Sequence, residues 1–309
     1  MELITLNTDK YLLVESTVAY IIEEFKEKPF VPVVVTGSYR KGKSTLLNRL
    51  LGRADVFSTS ASTTAHTRGV WVSPVLIDGT NVLLIDTEGL YSLEASAGDI
   101  HDRAIFSLSI VLGSVLLYNC MGAITSTSVD DLHIATRVAE MLFPSGEKTT
   151  ISTTSATPTD LVWVARDFGL ELETTGKQYL ERSLDATKDP DVANAIRSLF
   201  GDRGFHAIPH PTKPELAGSS RVRVGEFQKS IDALKAVVVE RASKKSPVTA
   251  DGFVTLTAVM VDALNDLVQA GDEKTTINPL KLKSVWAAAK DAALAGSRAM
   301  ACNVLSMYL

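Results

Sequence analysis

Cysteine is scarce in this sequence, and neither sign of charge is in strong excess. Cys120 and Cys302 are the only cysteines among the 309 residues, and they lack the paired spacing of a disulfide framework or a structural zinc site. We therefore expect a reducing, cytoplasmic location, and nothing at the N-terminus resembles a secretory leader. The formal net charge of -5 at pH 7 gives no overall field that would attract nucleic acid or an anionic membrane. We expect no nucleic-acid partner, and any phosphate that the protein binds must be held by a local site.

Long apolar runs are scarce as well. One run, residues 104–124 (AIFSLSIVLGSVLLYNCMGAI), approaches the length of a membrane span. Gly113, Ser114 and Asn119 interrupt it, and a helix followed by a buried parallel strand explains the run equally well. The last four residues, 306–309, lack the cysteine of a prenylation box. We expect no integral membrane segment.

What the sequence does contain is typical of a globular α/β protein. Hydrophobic residues make up 45% of the chain and charged residues 22%, enough for one large core and a smaller appendage. Short β-branched runs alternate with longer amphipathic stretches, which predicts a mostly parallel central sheet flanked by helices. The predicted strands are residues 31–35, 70–75, 82–85, 115–118 and 161–164, and the predicted helices between them are 44–51, 131–142 and 175–184.

The composition changes after residue 206. Prolines and small polar residues at 209–220 predict a loop, and helical stretches follow at about 222–242, 252–270 and 279–307. Ser246 and Pro247 interrupt this pattern, so we place a domain boundary near Lys245, with a domain at 1–245 and a helical appendage at 246–309. The threonine-rich run at 149–160 is expected to form a surface loop of the first domain.

A phosphate-binding motif follows the first predicted strand. Residues 37–44, GSYRKGKS, match G-x-x-x-x-G-K-[ST] directly before an amphipathic helix, a context that distinguishes the motif from a mere strand-to-helix turn. Such a turn aims backbone N–H groups at a polyphosphate, and the helix N-terminus adds partial positive charge. Lys43 is expected to reach the terminal phosphates and the Ser44 hydroxyl to bind Mg²⁺. The predicted nucleotide-binding residues here are Gly37, Ser38, Tyr39, Arg40, Lys41, Gly42, Lys43, Ser44 and Thr45.

A second short motif, Asp86-Thr87-Glu88-Gly89, ends the apolar run at 82–85. A four-letter D-x-x-G pattern is weak by itself, but here it follows the strand after the phosphate motif. An aspartate in that place can hold Mg²⁺, usually through water, and a following glycine can turn its N–H toward a γ-phosphate. We therefore expect Asp86 at the metal and Gly89 at the nucleotide.

A polar, threonine-rich stretch, residues 58–71 (STSASTTAHTRGVW), lies between these two motifs. GTPases place a threonine in such a loop, where it engages Mg²⁺ and the γ-phosphate, so that the loop is ordered by the triphosphate. The spacing suits Thr67, while Thr63 and Thr64 are alternatives of the same chemistry.

Taken together, the motifs resemble those of guanylate-binding proteins and atlastins, which are large GTPases of the dynamin superfamily. The resemblance is carried by GSYRKGKS at 37–44, HTRGVW at 66–71 and DTEGL at 86–90. It continues through HDRAIFSLSIVLGSVLLYNCMGAI from His101 and DDLHIATRVAEML from Asp130. It implies a P-loop GTPase fold, makes Thr67 the switch threonine at the metal and the reaction, and puts Glu88 and His66 near the attacking water.

The base-reading motif differs from that of small GTPases. No N-K-x-D is present, and LVWVARD at 161–167 resembles the family's arginine-aspartate motif at a strand end. The resemblance implies that Arg166 and Asp167 bind the nucleotide, with the Asp167 carboxylate accepting hydrogen bonds from the guanine N1 and N2 groups. An isolated Arg-Asp pair is more often a surface ion pair.

The resemblance also makes Arg40 the position of the family's internal arginine finger, which neutralises transition-state charge when two GTPase domains face each other. A nucleotide-dependent homodimer would follow. The alternative is that Arg40, in a basic cluster with Lys41 and Lys43, only raises phosphate affinity. Ala65 stands where guanylate-binding proteins carry a serine that supports the attacking water, which argues against fast hydrolysis.

The sequence therefore predicts a magnesium-dependent enzyme that binds GTP and GDP and hydrolyses GTP to GDP and phosphate. A slowly hydrolysing module that signals through GTP-dependent dimerisation is the alternative. An ATP-using P-loop enzyme would leave the HTRGVW segment and Asp167 unexplained. Neither the long stalk of guanylate-binding proteins nor the membrane segments of atlastins is recognisable, so tethering or fusion is not implied.

Overall fold

The computed structural model describes residues 1–7, 10–26, 28–59, 69–90, 98–125, 128, 129, 132, 159–210 and 224–270. The strands are β1 (Glu2–Asn7), β2 (Lys10–Leu13), β3 (Val31–Thr36), β4 (Val70–Ile77), β5 (Thr80–Thr87), β6 (Val115–Met121), β7 (Asp160–Arg166) and β8 (Arg203–Ile208). The helices are α1 (Glu15–Phe25), α2 (Lys43–Leu50), α3 (Gly98–Leu112), α4 (Gly176–Asp185), α5 (Pro190–Leu199), α6 (Val224–Ser243) and α7 (Ala250–Ala270).

All of these strands form one eight-stranded sheet in the order β2-β1-β4-β5-β3-β6-β7-β8. Strands β5, β3, β6, β7 and β8 run parallel, whereas β2, β1 and β4 form an antiparallel edge. The predicted α/β fold with a mostly parallel sheet is thus confirmed. Strand β4 is antiparallel to β5 because Asp78 and Gly79, with φ of 47° and 82°, form a tight hairpin turn between them.

Several elements were not predicted from the sequence: β1, β2, β8, α1 and α5. Strand β8 is only half-buried along most of its length, so its sequence RGFHAI lacks the continuous apolar run of the central strands. Helix α5 did carry a start signal. Asp189 accepts a hydrogen bond from the Asp191 N–H at 3.0 Å, and Pro190 occupies the first turn.

The apolar run at 104–124 folds as the sequence predicts, with the greater part of α3 followed by the buried parallel strand β6. In the described part of the chain, no helix has the length and hydropathy needed to cross a membrane. The predicted helices at 279–307 and, apart from residue 132, at 131–142 lie outside the described residues. The predicted loops at 149–158 and 211–220 lie outside them as well.

Both faces of the sheet are covered by helices. Val33 and Val35 of β3 belong to an apolar cluster with residues of α2 and α6 on one face, and Val34 belongs to the cluster on the other face, which includes residues of α1, α3 and α7. All three valines are fully buried. A strand covered on both sides needs an uninterrupted apolar sequence, which is why VPVVVT could be recognised as a central strand.

Helix α7 packs directly on the sheet domain. The Phe253 ring lies 5.5 Å from the Phe30 ring, edge to face, and Phe30 also stacks on Phe25 at 4.0 Å. Just before α7, Phe30 and Val248 exchange backbone hydrogen bonds of 3.0 and 2.8 Å. The domain boundary near Lys245 stays a prediction, and the beginning of the segment assigned to the appendage contributes to the common core.

We expect Phe253→Ala to lower the free energy of unfolding by about 3–5 kcal/mol, because it removes a ring that is 1% exposed and leaves a cavity. Urea unfolding of the full chain measures the loss. Leu76→Ala is the matched control, since Leu76 is 70% exposed and its truncation should change stability by less than about 0.5 kcal/mol. An unchanged unfolding curve for Phe253→Ala would mean that α7 does not stabilise the sheet domain.

Candidate functional site

The sequence motifs meet at one edge of the sheet. Strands β3, β5, β6 and β7 are parallel, so their last residues, Thr36, Thr87, Met121 and Arg166, lie at the same end. Open α/β sheets bind their ligands outside the carboxyl ends of parallel strands. The three motifs at 37–44, 86–89 and 166–167 all begin at this edge.

The turn between β3 and α2 requires glycine at both ends. Gly37 has a φ of 132°, and a Cβ there would lie 2.2 Å from the Asn119 carbonyl oxygen. Gly42 has a φ of 70° at the N-cap of α2, and a Cβ there would meet the Arg166 guanidinium at 2.1 Å. Within the described residues no side chain caps α2, so its N-terminal N–H groups remain suited to an anion.

Two side chains from the neighbouring strands hold this turn. Arg166 donates hydrogen bonds to the carbonyl oxygens of Lys41 at 2.7 Å and Gly42 at 3.1 Å. Asn119 donates from Nδ2 to the same Lys41 oxygen at 2.8 Å. The structure thus brings Arg166 to the phosphate turn. Asn119 is a site residue that sequence reasoning missed, although a polar residue at the end of the apolar run VLLY was an available signal.

The D-x-x-G segment is joined to the turn by backbone hydrogen bonds. The Tyr39 N–H donates to the Leu90 carbonyl at 2.8 Å, and the Leu90 N–H donates to the Gly37 carbonyl at 3.2 Å. Gly89 sits so close that a Cβ would lie 2.3 Å from the Tyr39 Cα and 2.8 Å from the Lys43 Nζ. The two predicted phosphate motifs therefore form one continuous surface.

Opposite charges are buried beneath this surface. Lys43 is 7% exposed and donates from Nζ to the Ser38 carbonyl at 3.3 Å. Burial lowers the pKa of Lys43 to about 8, against the opposing effect of Asp86 and Glu88. Burial raises the pKa of Asp86 to about 6, although the Ser44 hydroxyl and Lys43 favour its charged form. Both charges are poorly solvated, and a polyphosphate with a divalent cation would supply partners for them.

The oxygens of Ser44 and Asp86 are suited to a divalent metal ion. The Ser44 hydroxyl donates to Asp86 Oδ2 at 2.5 Å. Asp86 Oδ1 is buried and has no hydrogen-bond partner among the described residues. A buried carboxylate oxygen rarely stays without a partner, and hydroxyl and carboxylate oxygens are the hard donors that Mg²⁺ prefers.

Glu88 is engaged within the protein. Its side chain is buried, and Oε2 accepts from the Gly69 N–H at 3.1 Å and lies 3.2 Å from His101 Nε2. The Glu88 N–H in turn donates to the Gly69 carbonyl at 2.9 Å. Glu88 therefore fixes the residue that leads into β4, and its expected role near the attacking water stays a prediction. Sequence reasoning assigned no role to Gly69 or His101.

Arg40 and Asp167 both adopt the left-handed backbone conformation, with φ of 57° and 55°. Arg40 is exposed, and its guanidinium lies 5.3 Å from the centre of its neighbour's ring, Tyr39. Asp167 is half-buried directly after β7, beside the Arg166 that holds the phosphate turn. Thr45 is exposed on the first turn of α2.

The predicted switch segment is largely absent from the described residues. Thr63, Thr64, Ala65, His66 and Thr67 fall within 60–68, outside the described part of the chain. The choice of Thr67 as the metal-binding and catalytic threonine therefore stays a prediction. Only the two ends of the segment, residues 58–59 and 69–71, are described.

Comparison with known proteins gives a consistent result. Residues 9–244 match the family described as guanylate-binding protein, N-terminal domain. Guanylate-binding protein 2 of Rattus norvegicus is 35% identical over 265 residues, which cover 75% of this chain and 44% of that protein. Guanylate-binding protein 4 of Homo sapiens is 30% identical over 292 residues, which cover 84% of this chain and 45% of that protein. The chain thus spans less than half the length of these relatives.

A solved structure of Toc33 from Arabidopsis thaliana, a dimerization-deficient mutant, is similar at 13% identity with a TM-score of 0.39. The match covers 75% of this chain and 93% of that one. An overlap at this level supports no conclusion about this chain.

We expect Gly89→Ala to reduce nucleotide affinity at least about tenfold, because the new Cβ would push Tyr39 and Lys43 out of the phosphate surface. Titration with a fluorescent GTP analogue measures the loss. Gly225→Ala, where a Cβ meets nothing within 4 Å, is the control and should bind as the wild type does. Equal affinities for the two variants would show that the 86–89 segment does not form part of the nucleotide site.

Proposed function

The chain belongs to the guanylate-binding protein family, whose N-terminal domain it matches over residues 9–244, and we propose that it is a magnesium-dependent GTP-binding protein that hydrolyses GTP to GDP and phosphate. The observation that carries the proposal is the pair of buried charges on Lys43 and Asp86, together with the half-buried Ser44, beside the N-terminus of α2, which no side chain of the described residues caps. The phosphates of a metal-bound triphosphate would pair with the Lys43 ammonium and the N-terminus of α2, and its metal ion would pair with the Asp86 carboxylate.

Each part of the site has a proposed task in holding the triphosphate. The N–H groups of the turn at 37–44 bind phosphate oxygens, and the Lys43 ammonium neutralises the charge of the terminal phosphates. Gly89 offers its N–H at the γ-phosphate side of the turn. Ser44 and Asp86, with Thr67, would hold Mg²⁺, which when bound neutralises charge that develops on the phosphate oxygens.

The Arg166-Asp167 dipeptide supports guanine as the base. The Asp167 carboxylate is acceptor-only and matches two neighbouring donors on guanine, N1–H and N2–H₂. Its neighbour Arg166 donates to the carbonyl oxygens of Lys41 and Gly42, so the base-reading residue is joined covalently to a residue that holds the phosphate turn. This connection would hold the Asp167 carboxylate at a set distance from the phosphate turn.

Hydrolysis is proposed to proceed by attack of water on the γ-phosphate while Lys43, the turn N–H groups and Arg40 stabilise the developing charge. Arg40 is exposed, and in a nucleotide-dependent homodimer its guanidinium would complete the site of its own chain. A cytoplasmic location belongs to the same proposal.

A second candidate function is a slowly hydrolysing module that signals through GTP-dependent dimerisation. Two features favour it: Ala65 carries no hydroxyl for the attacking water, and the Glu88 carboxylate already binds the Gly69 N–H. Both candidates bind GTP, and they differ in the rate of the chemical step.

We expect Asp167→Asn to weaken GTP binding by about 5- to 150-fold, since an unmet buried polar group costs about 1–3 kcal/mol. The asparagine amide would oppose one guanine donor with its own N–H₂ group, whereas xanthine offers a carbonyl there. Binding of xanthosine triphosphate should therefore improve. Competition between GTP, xanthosine triphosphate and ATP for both proteins is the measurement. Identical rankings of the three nucleotides would mean that Asp167 does not read the base.

We expect Arg40→Ala to keep GTP affinity nearly intact and to slow hydrolysis by about 10³-fold or more if Arg40 acts as an arginine finger. Wild-type specific activity should rise with protein concentration and be lost when EDTA removes Mg²⁺. Lys41→Ala is the matched control, because it removes an adjacent exposed charge and should change the rate far less. A flat concentration dependence together with normal hydrolysis by Arg40→Ala would exclude both the finger and the dimer.

A further inference from the structure

A chain of buried hydrogen bonds runs from the phosphate edge of the sheet to helix α7. Glu88 Oε2 lies 3.2 Å from His101 Nε2, and His101 Nδ1 lies 2.5 Å from the Tyr11 hydroxyl. The backbone of Tyr11 is bound at its N–H and its carbonyl by the side chain of Asn265, at 2.7 and 2.9 Å. These hydrogen bonds thus join Tyr11 to Asn265, which are 254 positions apart in the sequence.

Both ring nitrogens of His101 make buried hydrogen bonds. It is 3% exposed, and its ring is parallel to the Tyr11 ring, with a centroid distance of 5.8 Å and an interplanar angle of 3°. Because a carboxylate accepts hydrogen bonds, Nε2–H donates to Glu88; a neutral ring would then accept at Nδ1 from the Tyr11 hydroxyl, and a protonated ring would donate to it. Both ring nitrogens are used, so neither the tautomer nor the ring rotation can change without breaking a buried hydrogen bond.

Tyr11 connects this ring to α7 through its backbone. Strand β2, which carries Tyr11, is the edge strand of the sheet and has β1 as its only strand neighbour among the described strands. The Asn265 amide accepts from the Tyr11 N–H and donates to the Tyr11 carbonyl, as a neighbouring strand would. Asn265 is 6% exposed, and its helix neighbour Leu264 lies in the hydrophobic core.

At the other end, Glu88 acts on the phosphate site through its neighbours. Glu88 lies between Thr87 and Gly89, and Gly89 packs closely against Tyr39 and Lys43. Its carboxylate and its N–H both bind Gly69, whose φ of 67° and close approach to the Ile4 carbonyl leave no room for a side chain. A shift of the Glu88 side chain would therefore move the backbone on which the catalytic geometry depends.

We propose that His101 is a positioning residue that holds Glu88 in place, and that Tyr11 and Asn265 fix His101, so that GTP hydrolysis depends on the docking of α7 against strand β2. This inference rests on the proposed function. His101, Tyr11 and Asn265 act through Glu88 and Gly69, so their loss should change the rate of hydrolysis much more than the affinity for nucleotide.

The test measures single-turnover GTP hydrolysis and the affinity for fluorescent GTP and GDP analogues in the full chain. We expect His101→Ala to hydrolyse GTP about 10- to 100-fold more slowly, the range found when groups that orient site residues are removed, with affinity changed less than about threefold. Tyr11→Phe keeps the aromatic ring and loses only the hydroxyl, and it should show a smaller loss of rate. His101→Gln should recover rate, because its amide N–H₂ can replace the Nε2–H donor toward Glu88.

Asn265→Ala tests the end of the hydrogen-bond network that lies on α7, and Thr257→Val is its matched control. Thr257 is fully buried on the same helix, but its hydroxyl donates to the Phe253 carbonyl within α7. We expect Asn265→Ala to slow hydrolysis and Thr257→Val to leave it unchanged, with both variants folded by circular dichroism.

The outcomes separate this inference from the proposed function. A wild-type chain that does not turn over GTP would overturn both. Normal turnover by the wild type together with wild-type rates in both His101→Ala and Tyr11→Phe would overturn the inference alone. Equal losses of rate in Asn265→Ala and Thr257→Val would overturn the part assigned to α7, because they would reflect general destabilisation of the helix.

Discussion

The burial of Lys43 and Asp86 at the end of a parallel sheet is the constraint on which the rest of the site depends. Lys43 is 7% exposed and Asp86 1% exposed, so both lose most of their hydration. Burial lowers the pKa of Lys43 and raises that of Asp86, which in each case favours the neutral form. The two charges attract each other, the Ser44 hydroxyl donates to Asp86, and Lys43 donates to the Ser38 carbonyl. The backbone around these groups is rigid because it is closely packed at Gly37, Gly42 and Gly89.

That rigidity comes from residues that lie far apart in the sequence. Gly37 fits against Asn119, Gly42 fits against Arg166, and Gly89 fits against Tyr39, each too closely for a side chain. The turn at 37–44 is thus held by strands β6 and β7 as well as by the strand that precedes it. Because the site is already ordered, little conformational entropy is lost when a ligand binds.

The sequence predicted what depends on local pattern and missed what depends on distant contacts. GSYRKGKS and the apolar strand before it are contiguous, so the phosphate turn and the central strands could be recognised directly. The bonds of Asn119 and Arg166 to Lys41 span 78 and 125 positions, so the local sequence could mark these two residues but could not name their partner. The antiparallel edge was missed for a related reason, since β1 and β2 are short and reveal their role only by pairing with each other and with β4.

The contact between Asn265 and strand β2 has a consequence for solubility. An unpaired edge strand exposes backbone N–H and carbonyl groups that can pair with a strand of another molecule, and natural proteins commonly cover or interrupt such edges. Here one amide side chain and the helix that carries it cover the backbone of Tyr11. Any state of the protein in which α7 lifts away would uncover this edge together with the apolar face beneath the helix, and would expose a surface prone to aggregation.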